Sequence, residues 1–258
     1  MSAWGSTLSA DEFAVIASAG FEPVGQVFGA AVYGTGSART YGCPGSFASQ
    51  VQAMYQARQA ALDRMTAECA RLGGHGVVGV RLSVGDFLLG GLEFMAVGTA
   101  VRACGAASGP SAPFTSDLSG QDFAKLIMTG WVPVGLALGV SIGSRHDDRS
   151  TTRQARLLSG NAEVTGWTEL VTRSRTDARH ELESDIRRLG AEGVVIASMR
   201  MRVRERDCPV TVGRRDHIVE AILIGTAIAR FGDVLPAEYG GFGAGSSRDS
   251  ARVVLHVR

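Results

Sequence analysis

One sequence pattern occurs twice along this 258-residue chain, in the same order. The segment "LSADEFAVIASAGFEPVG", which begins at Leu8, aligns with "LSGQDFAKLIMTGWVPVG" at Leu118. Further on, "RLGGHGVVGV" aligns with "RLGAEGVVIA", and "EFMAVGTAV" at Glu93 aligns with "EAILIGTAI" at Glu220. Because the blocks keep their order, the repeat predicts two similar folding units joined in tandem.

The repeat divides the chain into four parts. We assign a first unit to residues 1–103, a linker to 104–117, a second unit to 118–232 and a Gly/Ser-rich tail to 233–258. Each unit is long enough to bury a hydrophobic core of its own. The shift between aligned blocks grows along the chain, so the second unit carries insertions before its long helix and in its last hairpin.

Each unit is predicted to be a mixed α/β structure. Ser9 and Ser119 are typical helix N-cap residues, and they predict short helices over residues 9–19 and 119–129. Apolar residues at helical spacing then predict long helices over roughly residues 46–72 and 162–189. The fold class is therefore α+β, with two β-α-β-β units that each follow a short helix and have antiparallel-rich sheets.

Four glycines lie at matching points of the two units. Gly25 and Gly135 follow the repeated Pro-Val pair, and Gly98 and Gly225 precede the threonine of the closing strand. A glycine inside a strand predicts a β-bulge or a close approach of another chain segment. The alternative is a glycine that exposes the backbone to a ligand.

These blocks together resemble the YbjQ-like family, whose usual label is "putative heavy-metal-binding domain". The resemblance lies in the "PVG" segments, the helix ends "LGGHGVVGV" and "LGAEGVV", and the strands "VGTAV" and "IGTAI". It covers roughly residues 21–103 and 131–231. It implies a dodecin-like unit whose members assemble into pentameric rings, so the implied partner is the chain itself, in multiples of five.

Composition excludes several classes of protein. The net charge of +1 gives no general attraction to nucleic acid or to a membrane surface. The start "MSAWGSTLSADEF" lacks the basic and apolar regions of a secretory signal, and no apolar run is long enough for a membrane helix. The four cysteines occur singly, which favours a reducing compartment. We expect a cytoplasmic protein that binds neither membrane nor nucleic acid.

The chain has none of the common catalytic motifs. It has no G-x-S-x-G turn, no phosphate-binding loop and no H-E-x-x-H helix. The sequence therefore predicts a non-enzymatic protein without a cofactor. Two functions are left open: a scaffold that assembles into rings or shells, and a module that binds metal ions or small ligands at subunit interfaces.

The best local set of metal-ligand residues is "SRHDDR", with His146, Asp147 and Asp148. The alternative is an exposed polar turn. A second set, Cys69 and His75, is equally well explained by a buried thiol and a loop histidine. Neither set recurs in the other unit, which counts against a metal site shared by both units.

Three segments are candidate assembly surfaces. Phe87 and Leu89 lie in an apolar hairpin, and alternating apolar residues at the end of the chain predict a strand over 252–258 that pairs within the chain or with another one. The alternative for this end is a disordered terminus. Arginines alternate with apolar residues in "MRMRVRER", which predicts a charged stripe for an anionic or protein partner, or else a solvated face. The terminal residues are Val253, Leu255 and Val257, and the stripe is Arg200, Arg202, Arg204 and Arg206.

Overall fold

The computed structural model describes residues 5–34, 47–87, 91–105, 112–156, 163–208, 213–231 and 256–257. The elements, in chain order, are α1 (Ala10–Ser18), β1 (Phe21–Tyr33), α2 (Ala48–Arg71), β2 (Gly76–Phe87), β3 (Gly91–Ala103), β4 (Phe114–Thr115), α3 (Gly120–Met128), β5 (Trp131–His146), α4 (Arg149–Arg156), α5 (Thr165–Arg188), β6 (Gly193–Asp207), β7 (Arg215–Arg230) and β8 (His256–Val257).

The strands form two four-stranded sheets with matching orders. Sheet 1 has the order β1-β3-β2-β4, and sheet 2 has the order β5-β7-β6-β8. The first three strands of each sheet are antiparallel, whereas β4 and β8 add in parallel at one edge. The predicted α+β fold with two β-α-β-β units is confirmed.

Local sequence signals fix where the short helices begin. The side chain of Ser9 accepts the amide of Glu12, and Glu12 accepts the amide of Ser9, which completes a capping box at α1. Ser119 likewise accepts the amide of Asp122 at α3. The long helices begin two to three residues later than predicted, at Ala48 and Thr165. Helix α4, in the insertion of the second unit, was not predicted.

Each long helix lies directly on its own sheet because a glycine removes the side chain at the crossing point. A Cβ atom on Gly29 would overlap the carbonyl oxygen of Ala61 in α2. A Cβ atom on Gly139 would overlap the carbonyl oxygen of Ala178 in α5.

The four glycines singled out in the sequence lie beside register shifts. The pairing of β1 with β3 slips at Gly25, and the pairing of β5 with β7 slips at Gly135. Gly98 and Gly225 lie opposite the shifts in β2 and β6. A Cβ atom on Gly98 would lie 2.5 Å from the Cγ1 atom of Val77, so close approach explains this glycine.

The buried apolar residues form three clusters. The largest joins unit 1 to one face of sheet 2, the second lies between α5 and sheet 2, and the third surrounds Ile16 and Phe123 near the leading helices. None of the helices in the described ranges is long and apolar enough to cross a membrane.

Candidate assembly interface

The two units meet through an asymmetric interface. Sheet 2 has an outer face, opposite α5, which belongs to the same buried cluster as α2 and β2 of unit 1. We call the α2 side of unit 1 the receiving surface. The outer face of sheet 2 presents Leu136, Leu138, Val140, Ile142, Ile222 and Ile224, and the receiving surface presents Tyr55, Leu62, Val80 and Leu82.

A buried ion pair lies at the centre of this interface. The guanidinium of Arg58, in α2, lies 3.5 Å from a carboxylate oxygen of Asp185, in α5, and the two side chains are 3% and 7% exposed. Arg58 also donates to the carbonyl oxygen of Leu136 on the edge of β5. The Asp185 carboxylate accepts the amide of Leu138 at 2.9 Å and the guanidinium of Arg188 at 2.5 Å. One carboxylate thus ties together α5, β5 and the helix of the other unit.

Tyr55 adds a second polar contact along the same strand edge. Its hydroxyl donates to the carbonyl oxygen of Leu138 at 3.2 Å and accepts the amide of Val140 at 3.1 Å. Burial raises the pKa of Tyr55 to about 12, so the hydroxyl keeps its proton and can donate at neutral pH.

The segment that leads into unit 2 also connects the units. The amide of Ser116 donates to the carbonyl oxygen of Val77 at 2.8 Å, next to the β4 pairing on the edge of sheet 1. The hydroxyl of Thr226, in sheet 2, donates to the carboxylate of Asp117 at 2.5 Å and lies 3.1 Å from the Ser116 hydroxyl. The threonine of the repeated Gly-Thr pair therefore holds the leading segment in place.

The first unit repeats this arrangement with its own leading segment. The Thr99 hydroxyl oxygen accepts the amide of Thr7 at 3.0 Å and lies 3.0 Å from the hydroxyl of Ser6. In the sequence analysis, Thr99 and Thr226 are noted only as the residues that follow Gly98 and Gly225. Their occurrence at matching positions, downstream of matching Ser residues, was the available signal.

Two surfaces equivalent to the halves of this interface are exposed. On the outer face of sheet 1, Phe28 and Val32 are each 47% exposed, whereas Leu138, the counterpart of Phe28, is only 5% exposed. On the α5 side of β6, Met199 and Val203 are 48% and 58% exposed. Unit 1 thus exposes the outer face of its sheet, and unit 2 exposes its α5 side, which is the counterpart of the receiving surface.

The arginine stripe lies along the outer-face side of β6. Its four members pair in register with residues 222, 220, 218 and 216 of β7, so they share one face. Arg206 lies 3.3 Å from Asp216, and Arg204 lies 3.9 Å from Glu220. Arg200 and Arg202 are exposed and form no ion pair with any other described residue.

The three residues of the predicted metal set point in different directions. His146 pairs with Asp216, whereas Asp147 lies 3.1 Å from His217 and accepts the indole N–H of Trp167 at 3.1 Å. The Asp148 carboxylate accepts the amide of residue 151 at the start of α4, at 2.7 Å. Strand β5 ends at His146, and the three side chains contact different partners, so they do not converge.

His146 instead belongs to a cluster drawn from three strand ends. One potential ligand atom from each of His146, Cys208 and Asp216 lies within 4.8 Å of the others. Imidazole nitrogen, thiolate sulfur and carboxylate oxygen are the donors that zinc takes in three-ligand sites, so the donor set fits a heavy-metal ion. The guanidinium of Arg206, 3.3 Å from Asp216, opposes a cation there. Sequence reasoning missed Cys208 and Asp216 because the fold alone brings them to His146.

The second predicted set has structural roles. The Cys69 thiol donates to the carbonyl oxygen of Gly76 at 3.4 Å, and burial raises its pKa to about 12. The Nδ1 atom of His75 accepts the amide of Ala103 at 3.2 Å. A protonated, buried thiol is a poor metal ligand, in line with the alternative stated above.

The predicted apolar assembly side chains lie outside the part of the chain that the structure describes. Leu89, Val253 and Leu255 lie outside the described residues, as do the side chains of Phe87 and Val257. The backbone of His256 and Val257 pairs in parallel with Val195 and Ile196 of β6 in the same chain.

The chain is similar to known proteins. A family model described as "Putative heavy-metal-binding" matches residues 21–104, which is the first unit after its leading helix. The chain is also 36% identical over 238 residues to the encapsulin nanocompartment protein Rv1762c of Mycobacterium tuberculosis, a match that covers 88% of this chain and 86% of the relative. The chain therefore belongs to the YbjQ-like family described as "Putative heavy-metal-binding", and it is related along most of its length to this mycobacterial protein.

Proposed function

We propose that this chain is a non-enzymatic structural protein that assembles with copies of itself into a closed ring or shell. The observation that carries the proposal is the exposed outer face of sheet 1, whose counterpart in sheet 2 is buried inside the chain. The related mycobacterial protein is named for an encapsulin nanocompartment, which supports a role in a large assembly. The family resemblance favours a number of chains that is a multiple of five.

The exposed face carries an apolar patch. Phe28 and Val32 lie four residues apart on β1 and therefore point to the same side. Met95 and Val97, on the neighbouring strand β3, are only half-buried on that side. Contiguous apolar patches of this kind mark interaction sites in soluble proteins.

Phe28→Asp is expected to reduce the assembly to the 27.0 kDa monomer, because a carboxylate cannot be buried without a partner. Native mass spectrometry and light scattering measure the result. Met128→Asp is the matched control, because Met128 is 72% exposed on α3 and does not belong to β1 or β3. A wild-type chain that is monomeric at all accessible concentrations would refute the proposed function.

A second function, heavy-metal binding, is favoured by the His146–Cys208–Asp216 cluster. These residues would hold the ion with one nitrogen, one sulfur and one oxygen atom. The metal would supply a cross-link between β5, β7 and the end of β6. Such a site would belong to the second unit alone, since residues 146, 208 and 216 lie in or beside β5, β6 and β7.

Cys208→Ser is expected to lower zinc affinity at least about tenfold, as loss of a direct ligand should exceed the tenfold effect of outer-shell mutations. Zinc content after dialysis and calorimetric titration with zinc alone measure the change. Cys104→Ser is the matched control because Cys104 is exposed and lies outside the cluster. Equal zinc content in wild type and both variants would remove this second function.

A further inference from the structure

We infer that a second copy of this chain docks its sheet 1 outer face on the α5 side of unit 2, which repeats between chains the interface that joins the two units within a chain. The inference deepens the proposed function and depends on it. The outer face of sheet 1 in one copy meets the α5 side of unit 2 in the other copy, and an ion pair forms between the two chains.

The two long helices correspond position by position. Helix α2 spans Ala48–Arg71 and α5 spans Thr165–Arg188, both 24 residues long, so Arg58 of α2 corresponds to Arg175 of α5. Arg58 is buried because it crosses to β5 of the other unit. Arg175 is exposed at the equivalent position and points away from sheet 2. Arg175 therefore has the reach and charge to make the same contact with another chain.

The acceptor for Arg175 is a carboxylate that is already in position on unit 1. Asp185, the partner of Arg58, is held by the amide of Leu138 at 2.9 Å. Its counterpart Glu68 is held by the amide of Phe28 at 2.7 Å, on the edge of β1. Both carboxylates are thus fixed beside an outer face, but only Asp185 has its cross-unit arginine within the chain.

The apolar parts of the two exposed surfaces also match. Leu82, on the receiving surface of unit 1, packs against the buried cluster that includes the outer face of sheet 2. Its counterpart Met199 pairs with Leu223 just as Leu82 pairs with Ala96, yet Met199 is 48% exposed. Met199 and Val203 would receive Phe28 and Val32 of the second copy.

The interface that results is heterologous, because it joins two different surfaces, the outer face of sheet 1 and the α5 side of unit 2. Each chain has one surface of each kind, so every docked copy still exposes the α5 side of its unit 2 for the next copy. Such contacts form a ring where the rotation between successive copies closes, and this agrees with the proposed assembly. An isologous dimer, in contrast, would use the same surface on both chains and would stop at two.

The test separates the two surfaces. Met199→Asp should abolish the assembly by itself, as Phe28→Asp does, because each variant loses one side of the same contact. When the two variants are mixed, the intact α5 side of Phe28→Asp and the intact outer face of Met199→Asp should form a heterodimer of twice the chain mass. Native mass spectrometry of the mixture detects this species, and circular dichroism checks that each variant is folded.

The ion pair is tested by charge reversal. Arg175→Glu should raise the concentration needed for half-assembly about tenfold or more, and Arg175→Glu/Glu68→Arg should restore most of the loss. Glu22→Arg is the control, because Glu22 pairs with Arg102 in an exposed ion pair within one unit. If wild type assembles but Met199→Asp assembles equally well, or the mixture stays monomeric, the inference is wrong although the proposed function stands. If wild type is monomeric, both are wrong.

Discussion

Replacing Arg58 by methionine is expected to lower the free energy of unfolding by about 3 kcal/mol, because the Asp185 carboxylate would stay buried with one cation fewer. The pair is 3.5 Å apart and almost inaccessible to solvent. Arg188 still contacts Asp185 at 2.5 Å, which places the loss at the low end of the values for broken buried pairs. For a chain of this size, about 3 kcal/mol corresponds to a decrease in Tm of roughly 6–12 °C.

The exposed pair Arg102–Glu22 provides the control for this variant. Its side chains are 45% and 51% exposed, so Arg102→Met should cost less than about 1 kcal/mol. Urea unfolding at a fixed protein concentration measures both variants, because assembly also contributes to apparent stability. Equal stability of the two variants would mean that the buried pair does not hold the units together.

Replacing Gly139 by alanine is expected to destabilise the chain by about 3 kcal/mol, at the upper end of overpacking costs. The added Cβ atom would overlap the carbonyl oxygen of Ala178 and lie 2.9 Å from the amide nitrogen of Leu182. Both groups belong to the α5 backbone, so no rotamer change can relieve the contact. Helix α5 would have to move away from sheet 2 and expose the core beneath it. Gly29→Ala should have the same effect on α2.

Gly85 offers a matched control, because it also lies in a strand. It lies in strand β2, and no atom lies within 4 Å of the position that a Cβ atom would take. Gly85→Ala should therefore change stability by less than about 1 kcal/mol, since alanine only reduces the freedom of the unfolded chain. Thermal melts of Gly139→Ala, Gly29→Ala and Gly85→Ala measure the comparison. Coincident melting curves would contradict close helix–sheet contact at these glycines.

The fold could be predicted because its signals are local and occur twice. Ser9 and Ser119 cap their helices through residues three positions away, and these contacts can be read from a short segment. The repeat then confirmed each assignment independently, since a pattern found in one unit reappeared in the other. Helix α4 was missed because its segment has no counterpart in unit 1.

The interface could not be predicted because its contacts join distant residues. Thr226 contacts Ser116 across 110 positions, and Arg58 donates to Leu136 across 78. One usable signal in the sequence is that arginine occupies the equivalent positions 58 and 175. Arg58 makes the contact between the units, and the docking inferred above assigns the equivalent contact between chains to Arg175.

The predicted metal set consists of residues that are close in sequence. His146, Asp147 and Asp148 are adjacent in sequence, but His146 ends a strand and its neighbours turn toward Trp167 and α4. Proximity in sequence suggests convergence only where the backbone turns back on itself. Two of the three residues that do converge, Cys208 and Asp216, lie more than sixty positions away from His146.

The covalent connection between the two units restricts the symmetry of any ring. In the proposed ring, each chain would fill two neighbouring positions with its two sheets, so the number of positions would be even and units 1 and 2 would alternate. Intact chains would not form a ring of five positions, whereas five chains would fill an even number of positions. The order of the rotational symmetry would then equal the number of chains, which is half the number of positions. The arginine stripe of β6, which unit 1 lacks, would therefore appear at every second position around the ring.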